Sequence, residues 1–232
     1  MTQIDYSTDF YRLHAREYAR VAEQFLQSVY TKSSHPKLKH DWDLWDRLVQ
    51  LAPGSRGLDA GCGAGARDVF HAWSEGYDVV GIDSVEENIR AARQLHSEIA
   101  DHVFVADLNR PLPFDDASFD FVACNAVIQH IEPEVVRDII LPDFARVLRP
   151  GGVLQLMFKC GNDITTVFDK DYGIDRSFRL YQEDELIEIL SGLDMTLVKD
   201  QNLQKLGGLM YFTDPKGVNH CVFYSKKAKA GL

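Results

Sequence analysis

Gly57-Leu58-Asp59-Ala60-Gly61-Cys62-Gly63-Ala64-Gly65 is the stretch on which the fold turns. Leu58 and Ala60 are apolar, as in a buried strand, and three glycines at alternate positions follow. Glycine tolerates positive φ and has no Cβ, so such a turn can bring backbone N–H groups close to a ligand. Ala66-Arg67-Asp68-Val69-Phe70-His71-Ala72-Trp73 then opens a helix, whose N-terminus favours negative charge. Strand, glycine turn and helix start together make a nucleotide-type site. Gly61, Gly63 and Ala66 also satisfy the G-x-G-x-x-G/A spacing of dinucleotide sites, with Asp83 as the acidic residue about 20 positions on. The turn alone fits a dinucleotide or another adenosine ligand.

Working outward, strands and helices alternate. Strands are expected at 57–60, 77–82, 103–106, 119–124 and 153–158. Helices are expected at 66–74, 85–99 with Ser84 as N-cap, and 133–148. This alternation predicts a doubly wound, mostly parallel α/β sheet covered on both faces. Before it, an amphipathic helix is expected from Asp9 to about Tyr30, carried by Phe10, Leu13, Tyr18, Val21, Phe25 and Val29, with a second at 38–51. After it comes an irregular stretch at 159–179, a helix at 183–190 and late strands near 195–198 and 218–224. These late strands suggest an antiparallel edge, with 201–217 as an insertion between them. One domain is expected. Residues 1–50 would form N-terminal cap helices, 51–160 the binding core, and 161–232 a substrate-side loop and the last strands.

Composition narrows the functional classes. The chain has 232 residues, 45% of them hydrophobic, enough for a buried core. No run approaches the ~20 apolar residues of a membrane span. The N-terminal residues show no basic stretch followed by an apolar core, so no signal peptide is expected and a cytoplasmic location is the default. Cys62, Cys124, Cys160 and Cys221 are scattered, so neither a zinc site nor a disulfide framework is expected. The net charge of -10 does not attract a phosphate backbone, so no nucleic-acid partner is expected. The oligomeric state is not written in this pattern.

Ligands of open parallel sheets sit beyond the carboxyl ends of the strands. Asp59, Asp83 and Asp107 fall there, at equal steps of one strand–helix unit, so their carboxylates should share one rim. Asn125 and Ala126 follow the fourth strand, with Gln129 and His130 just beyond. Together with Gly81-Ile82-Asp83, Ala106-Asp107-Leu108, the Leu112–Asp120 segment and Leu148-Arg149-Pro150-Gly151-Gly152, this order resembles the class I S-adenosylmethionine-dependent methyltransferases. The resemblance spans roughly Leu51 to Tyr224.

The resemblance implies a seven-stranded Rossmann-like sheet and S-adenosylmethionine as cofactor. Gly61, Cys62, Gly63 and Gly65 would pass the methionine portion, and Asp59 would face its ammonium, unless it merely caps the turn. Asp83, beside Ser84, would take both ribose hydroxyls, since a carboxylate accepts two donors. Asp107 would accept from the adenine amino group and Leu108 N–H would donate to the ring, unless Asp107 only forms an Asx turn. Asn125 and Ala126 would complete the cofactor wall. His130 is the candidate general base, or a packing histidine. Tyr11, Tyr18, Arg176 and Arg179 are the candidate substrate residues, since aromatics mixed with arginines suit a planar or acidic small molecule. Cys124 reads as a small apolar strand residue. The expected reaction is methyl transfer to oxygen or nitrogen of a small molecule. A cofactor-binding protein without transferase activity and an NAD(P)-dependent oxidoreductase are the alternatives.

Overall fold

The computed structural model describes residues 8–22, 32–199, 205–214 and 217–229. The chain begins with α1 (Thr8–Leu13), α2 (Ala15–Ala22), β1 (Lys32–Ser33) and α3 (Asp41–Leu51). It then alternates through β2 (Arg56–Ala60), α4 (Arg67–Ser74), β3 (Asp78–Asp83), α5 (Glu86–Leu95), β4 (Val103–Val105) and β5 (Phe119–Asn125). A helical segment comprising α6 (Pro133–Val135) and α7 (Leu141–Val147) leads into β6 (Leu148–Lys159). Next come β7 (Ile164–Asp169), β8 (Ile174–Arg179), α8 (Glu183–Gly192), β9 (Met195–Leu197), β10 (Met210–Thr213) and β11 (Asn219–Lys227).

The main sheet runs β1-β10-β11-β6-β5-β2-β3-β4, with β9 also paired to β11. The five strands from β6 to β4 are parallel, and the remaining pairings are antiparallel. The chain enters at β2, builds outward to β4, then returns to β5 on the other side. Strand order therefore reverses between β2 and β5, which opens a crevice at their carboxyl ends. β5 is buried along nearly its whole length, as its apolar run requires. Side chains such as Leu58, Val122, Leu154 and Phe144 are fully enclosed. Each contributes about 1.5–3 kcal/mol by leaving water. α7 and α8 cover one face, and α3, α4 and α5 the other.

The sheet departs from the seven strands expected. β11 is nine residues long and offers one edge to two short partners, β10 along its first half and β9 along its second. β10 comes from the stretch read as an insertion, and β1 extends the sheet beyond it. The N-terminal helix breaks at His14 into α1 and α2. Phe25 and Val29 of its expected continuation lie outside the described residues, as do 201–204. The 133–148 helix passes through a π-helical turn at Val136–Ile140 just before Pro142. Proline has no N–H to continue the ladder, and the wider turn accommodates it. The stretch expected to be irregular holds a hairpin, β7 paired with β8. Ser84 does not cap α5: Val85 holds that position, and the Asp83 carboxylate accepts the Val85 N–H at 2.9 Å.

Candidate active site

A cavity of about 500 Å³ opens at the carboxyl ends of β2, β3, β5 and β6. The glycine turn forms one wall. Gly61 and Gly63 adopt φ of +91° and +65°, conformations that glycine reaches without strain. The first three N–H groups of the turn bond to the neighbouring strand rather than facing the cavity, contrary to the expectation from sequence. Gly61 and Cys62 both donate to the Ile82 carbonyl, at 2.8 and 2.9 Å, and Gly63 donates to Asp83 Oδ2 at 3.1 Å. The turn is laced to β3. The first three amides of the turn are thus committed to β3, and the glycines there serve close approach. Gly61 and Cys62 line the cavity, whereas Gly63 and Gly65 do not. The Tyr18 hydroxyl lies so near Gly63 that a Cβ built there would overlap it.

Carboxylates dominate this half. Asp41, Asp59, Asp68 and Asp83 all line the cavity, with Arg67 the cation among them. Arg67 pairs with Asp41 at 2.6 Å and Asp68 at 3.0 Å, and lies 4.7 Å over the Trp42 ring. Asp59 is different. It is 6% exposed, and burial with neighbouring Asp68 pushes its pKa well up, only partly countered by Arg67. Among the described residues no hydrogen bond caps the turn through it. A bound cation would relieve this directly.

The sign of that strain gives a prediction. A carboxyl whose folded pKa is raised costs stability at pH values above its unfolded pKa, neutral pH included. Asp59→Asn should therefore raise the melting temperature of the ligand-free protein while weakening the binding of a cationic ligand. Thermal unfolding and calorimetric titration check both halves. A lower melting temperature would make Asp59 a structural residue.

Asp83 is held by three donors: Val85 N–H, Gly63 N–H and Asn88 Nδ2 at 3.1 Å. Burial pushes its pKa up against these bonds. Ser84 lines the cavity beside it. Asp107 Oδ1 accepts from Asn109 N–H and Nδ2 at 2.9 and 2.7 Å, an Asx turn, yet Asp107 and Leu108 also line the cavity. Asn125 donates to Asp68 Oδ2 at 3.2 Å and accepts from Gln155 Nε2 at 2.9 Å, which fixes its orientation. Ala126 sits at φ +59°, strained for a residue with a Cβ, where the chain leaves β5.

The other half of the cavity is aromatic and basic. Tyr11, Tyr172, Phe178 and Arg176 line it with His130. Arg176 is bound to the fully buried Asp169 at 2.8 Å and to the Tyr11 hydroxyl at 2.8 Å. Its guanidinium lies 4.1–5.2 Å from the Phe10, Tyr11, Tyr172 and Phe178 ring centres. Arg179 does not join it. Alternate residues of a strand share a face, so three positions on, Arg179 points away from the face that Arg176 and Phe178 present.

A further group escaped the sequence reading. Lys159, ending β6, donates to Asp214 at 2.9 Å and lies 3.3 Å from His220 Nε2. Lys159 and His220 are direct cross-strand partners on β6 and β11, although 61 residues apart. Burial and the neighbouring Lys159 push His220 down to about 4, so it is neutral at pH 7. Only the sheet register unites these residues. Cys124 is wholly buried and its thiol is pushed up, as suits an apolar strand residue. No cluster of metal-ligating side chains occurs among the described residues.

Residues 58–156 match a family model described as a methyltransferase domain. The 2-methyl-6-phytyl-1,4-hydroquinone methyltransferase of a Synechocystis species is 31% identical over 58% of this chain and 39% of its own length. The 27-O-demethylrifamycin SV methyltransferase of Amycolatopsis mediterranei is 38% identical over 49% of this chain and 43% of its own. The chain thus spans about two fifths of the curated relatives it matches. The fold is shared with the solved 1,6-didemethyltoxoflavin-N1-methyltransferase of Burkholderia thailandensis, at a TM-score of 0.64 and 20% identity over 96% of this chain and 87% of that one. It is shared also with the [4+2]-cyclase SpnF, at a TM-score of 0.65 and 16% identity over 96% of both chains. The matched segment runs from the glycine turn through β5 into β6, and over it the chain is similar to the class I S-adenosylmethionine-dependent methyltransferases.

Proposed function

We propose that the protein transfers the methyl group of S-adenosylmethionine to an oxygen or nitrogen of a small molecule. The observation that carries this is the charge of the cavity's cofactor half. Asp59 is buried with a raised pKa and lies among three more carboxylates, while the Gly61, Cys62 and Gly63 amides bond to β3. A dinucleotide would bring two phosphate charges to a wall lined by carboxylates, against their repulsion. A ligand carrying an ammonium and a sulfonium relieves it. The residues therefore fit this cofactor.

Asp59 would face the ammonium and Asp83 the ribose hydroxyls. Asp107 and Leu108 would hold the adenine edge, with Ile82 and Leu108 against the ring. Bound there, the cofactor supplies a sulfonium-activated methyl group. The protein's share is alignment and exclusion of water. Tyr11, Tyr172 and Phe178 shape a slot for a planar acceptor, and His130 stands where a proton must be collected. Two relatives are named for a hydroquinone and a 27-O-demethylrifamycin SV, and a structural neighbour is named an N1-methyltransferase. A net charge of -10 disfavours a polyanionic acceptor.

The test is a panel of phenols, hydroxy acids and nitrogen heterocycles incubated with S-adenosylmethionine, reading S-adenosylhomocysteine release and the mass and NMR position of the added methyl. Methylation at oxygen or nitrogen supports the reading. Methylation at carbon, or binding with no release across the panel, would replace it with a carbon methyltransferase or an association protein respectively.

A further inference from the structure

Tyr11 joins two groups that the family motifs do not connect. Its hydroxyl lies 2.8 Å from Arg176 Nη2 and 2.9 Å from His130 Nε2, and its ring packs edge-on against the His130 ring at 5.0 Å. Donor and acceptor roles follow from the chemistry of the partners. A guanidinium only donates, so the Tyr11 oxygen accepts from Arg176. Giving the single Tyr11 proton to His130 Nε2 makes the imidazole neutral, with its own proton on Nδ1. These positions are assigned from the network. Asp169, with no exposed surface, anchors the far end by accepting from Arg176 Nη1 at 2.8 Å. The result is one directed chain, Asp169 to Arg176 to Tyr11 to His130, whose last three members line the cavity.

A hydroxyl has two acceptor lone pairs. Arg176 takes one at Tyr11, and the other is left for a donor arriving in the cavity. His130 Nε2, in contrast, is already engaged by Tyr11. The acceptor's proton therefore reaches His130 through Tyr11.

We propose, resting on the methyl-transfer reading, that Tyr11 is the catalytic group that takes the proton of the acceptor, that His130 is its proton sink, and that Arg176 is a positioning residue for the phenol oxygen. The acceptor is of the class that carries a hydrogen on the methylated atom, a hydroxyl or a ring N–H. As the acceptor's X–H bond breaks, its proton bonds to Tyr11 Oη. The original Tyr11 O–H bond breaks and that proton bonds to His130 Nε2. The electron pair left on X forms the bond to the methyl carbon, and the pair of the broken carbon–sulfur bond stays on sulfur. Arg176 offsets the negative charge that builds on the phenol oxygen during the relay. No further acid, base or oxidant is required.

The first test is nitrogen NMR of the full chain with ¹⁵N-labelled histidine, without any acceptor. His130 should show an unprotonated, hydrogen-bonded Nε2, and Tyr11→Phe should shift that resonance while S-adenosylhomocysteine affinity stays within about threefold. A proton on Nε2 in the wild type would overturn the proposal. The second test is turnover with whichever member of the phenol and heterocycle panel is methylated. Tyr11→Phe keeps the ring contacts and should lower kcat about 100-fold with KM nearly unchanged, the scale of general-base catalysis. Arg176→Lys, which keeps a cation but not the fork, should fall between the two. Undiminished kcat in Tyr11→Phe overturns the relay alone. Absence of turnover by the wild type across the panel overturns the methyl-transfer reading, and the relay with it.

Discussion

Replacing Asp83 with alanine is expected to weaken S-adenosylhomocysteine binding roughly 10- to 150-fold. The estimate rests on the loss of charge-assisted hydrogen bonds, worth about 1.5–3 kcal/mol. Asp83 has a double duty that raises the cost. Its carboxylate holds Gly63 N–H, Val85 N–H and Asn88 Nδ2. Removing it orphans three donors at once, two of them on the glycine turn and the entry to α5. The protein should therefore also lose stability, by about 1–3 kcal/mol. Asp83→Asn separates the duties, because an amide oxygen can keep part of the local bonding while the charge is gone. Calorimetry and urea unfolding on both variants check this. Alanine affinity equal to wild type would remove Asp83 from the ligand site.

The largest structural effect is expected at Gly61. Its φ of +91° is costly for any residue with a Cβ, and a Cβ built there would overlap a Val127 methyl. Each penalty is worth about 1–3 kcal/mol. Gly61→Ala should thus lose about 2–6 kcal/mol, a large share of the 5–15 kcal/mol that holds a typical domain. The two causes can be parted. Adding Val127→Ala removes the overlap but leaves the backbone strain, so the pair should recover only part of the loss. Full recovery would assign the whole effect to packing. No loss in Gly61→Ala would mean that the turn adopts another backbone.

The sequence carried the parallel half of the sheet and the acidic rim because both depend on local signals. Apolar runs bounded by turns mark β2, β3 and β5, and one strand–helix unit separates Asp59 from Asp83 and Asp83 from Asp107. The cavity brings those three together as expected. The direction of the glycine-turn amides was not legible, since it depends on the Ile82 carbonyl of the neighbouring strand. The β7–β8 hairpin was obscured by Asp and Arg interruptions and by a connection longer than a two-residue turn. The run Ile164-Thr165-Thr166-Val167-Phe168 was its available signal. Recognising that hairpin would also have put Arg176 and Arg179 on opposite faces. Lys159, Asp214 and His220 carried no local mark at all, because cross-strand register assembles them. Tyr11 was legible as an aromatic of the N-terminal helix, but not as the link between Arg176 and His130.

The central claim is that the carboxylate-lined cavity holds a cationic adenosine cofactor. Calorimetric titration of the purified protein with S-adenosylhomocysteine and, separately, with NADH tests it most directly. The account predicts stoichiometric binding of S-adenosylhomocysteine, weakened in Asp83→Ala, and no saturable binding of NADH. Saturable NADH binding with no response to S-adenosylhomocysteine would contradict it.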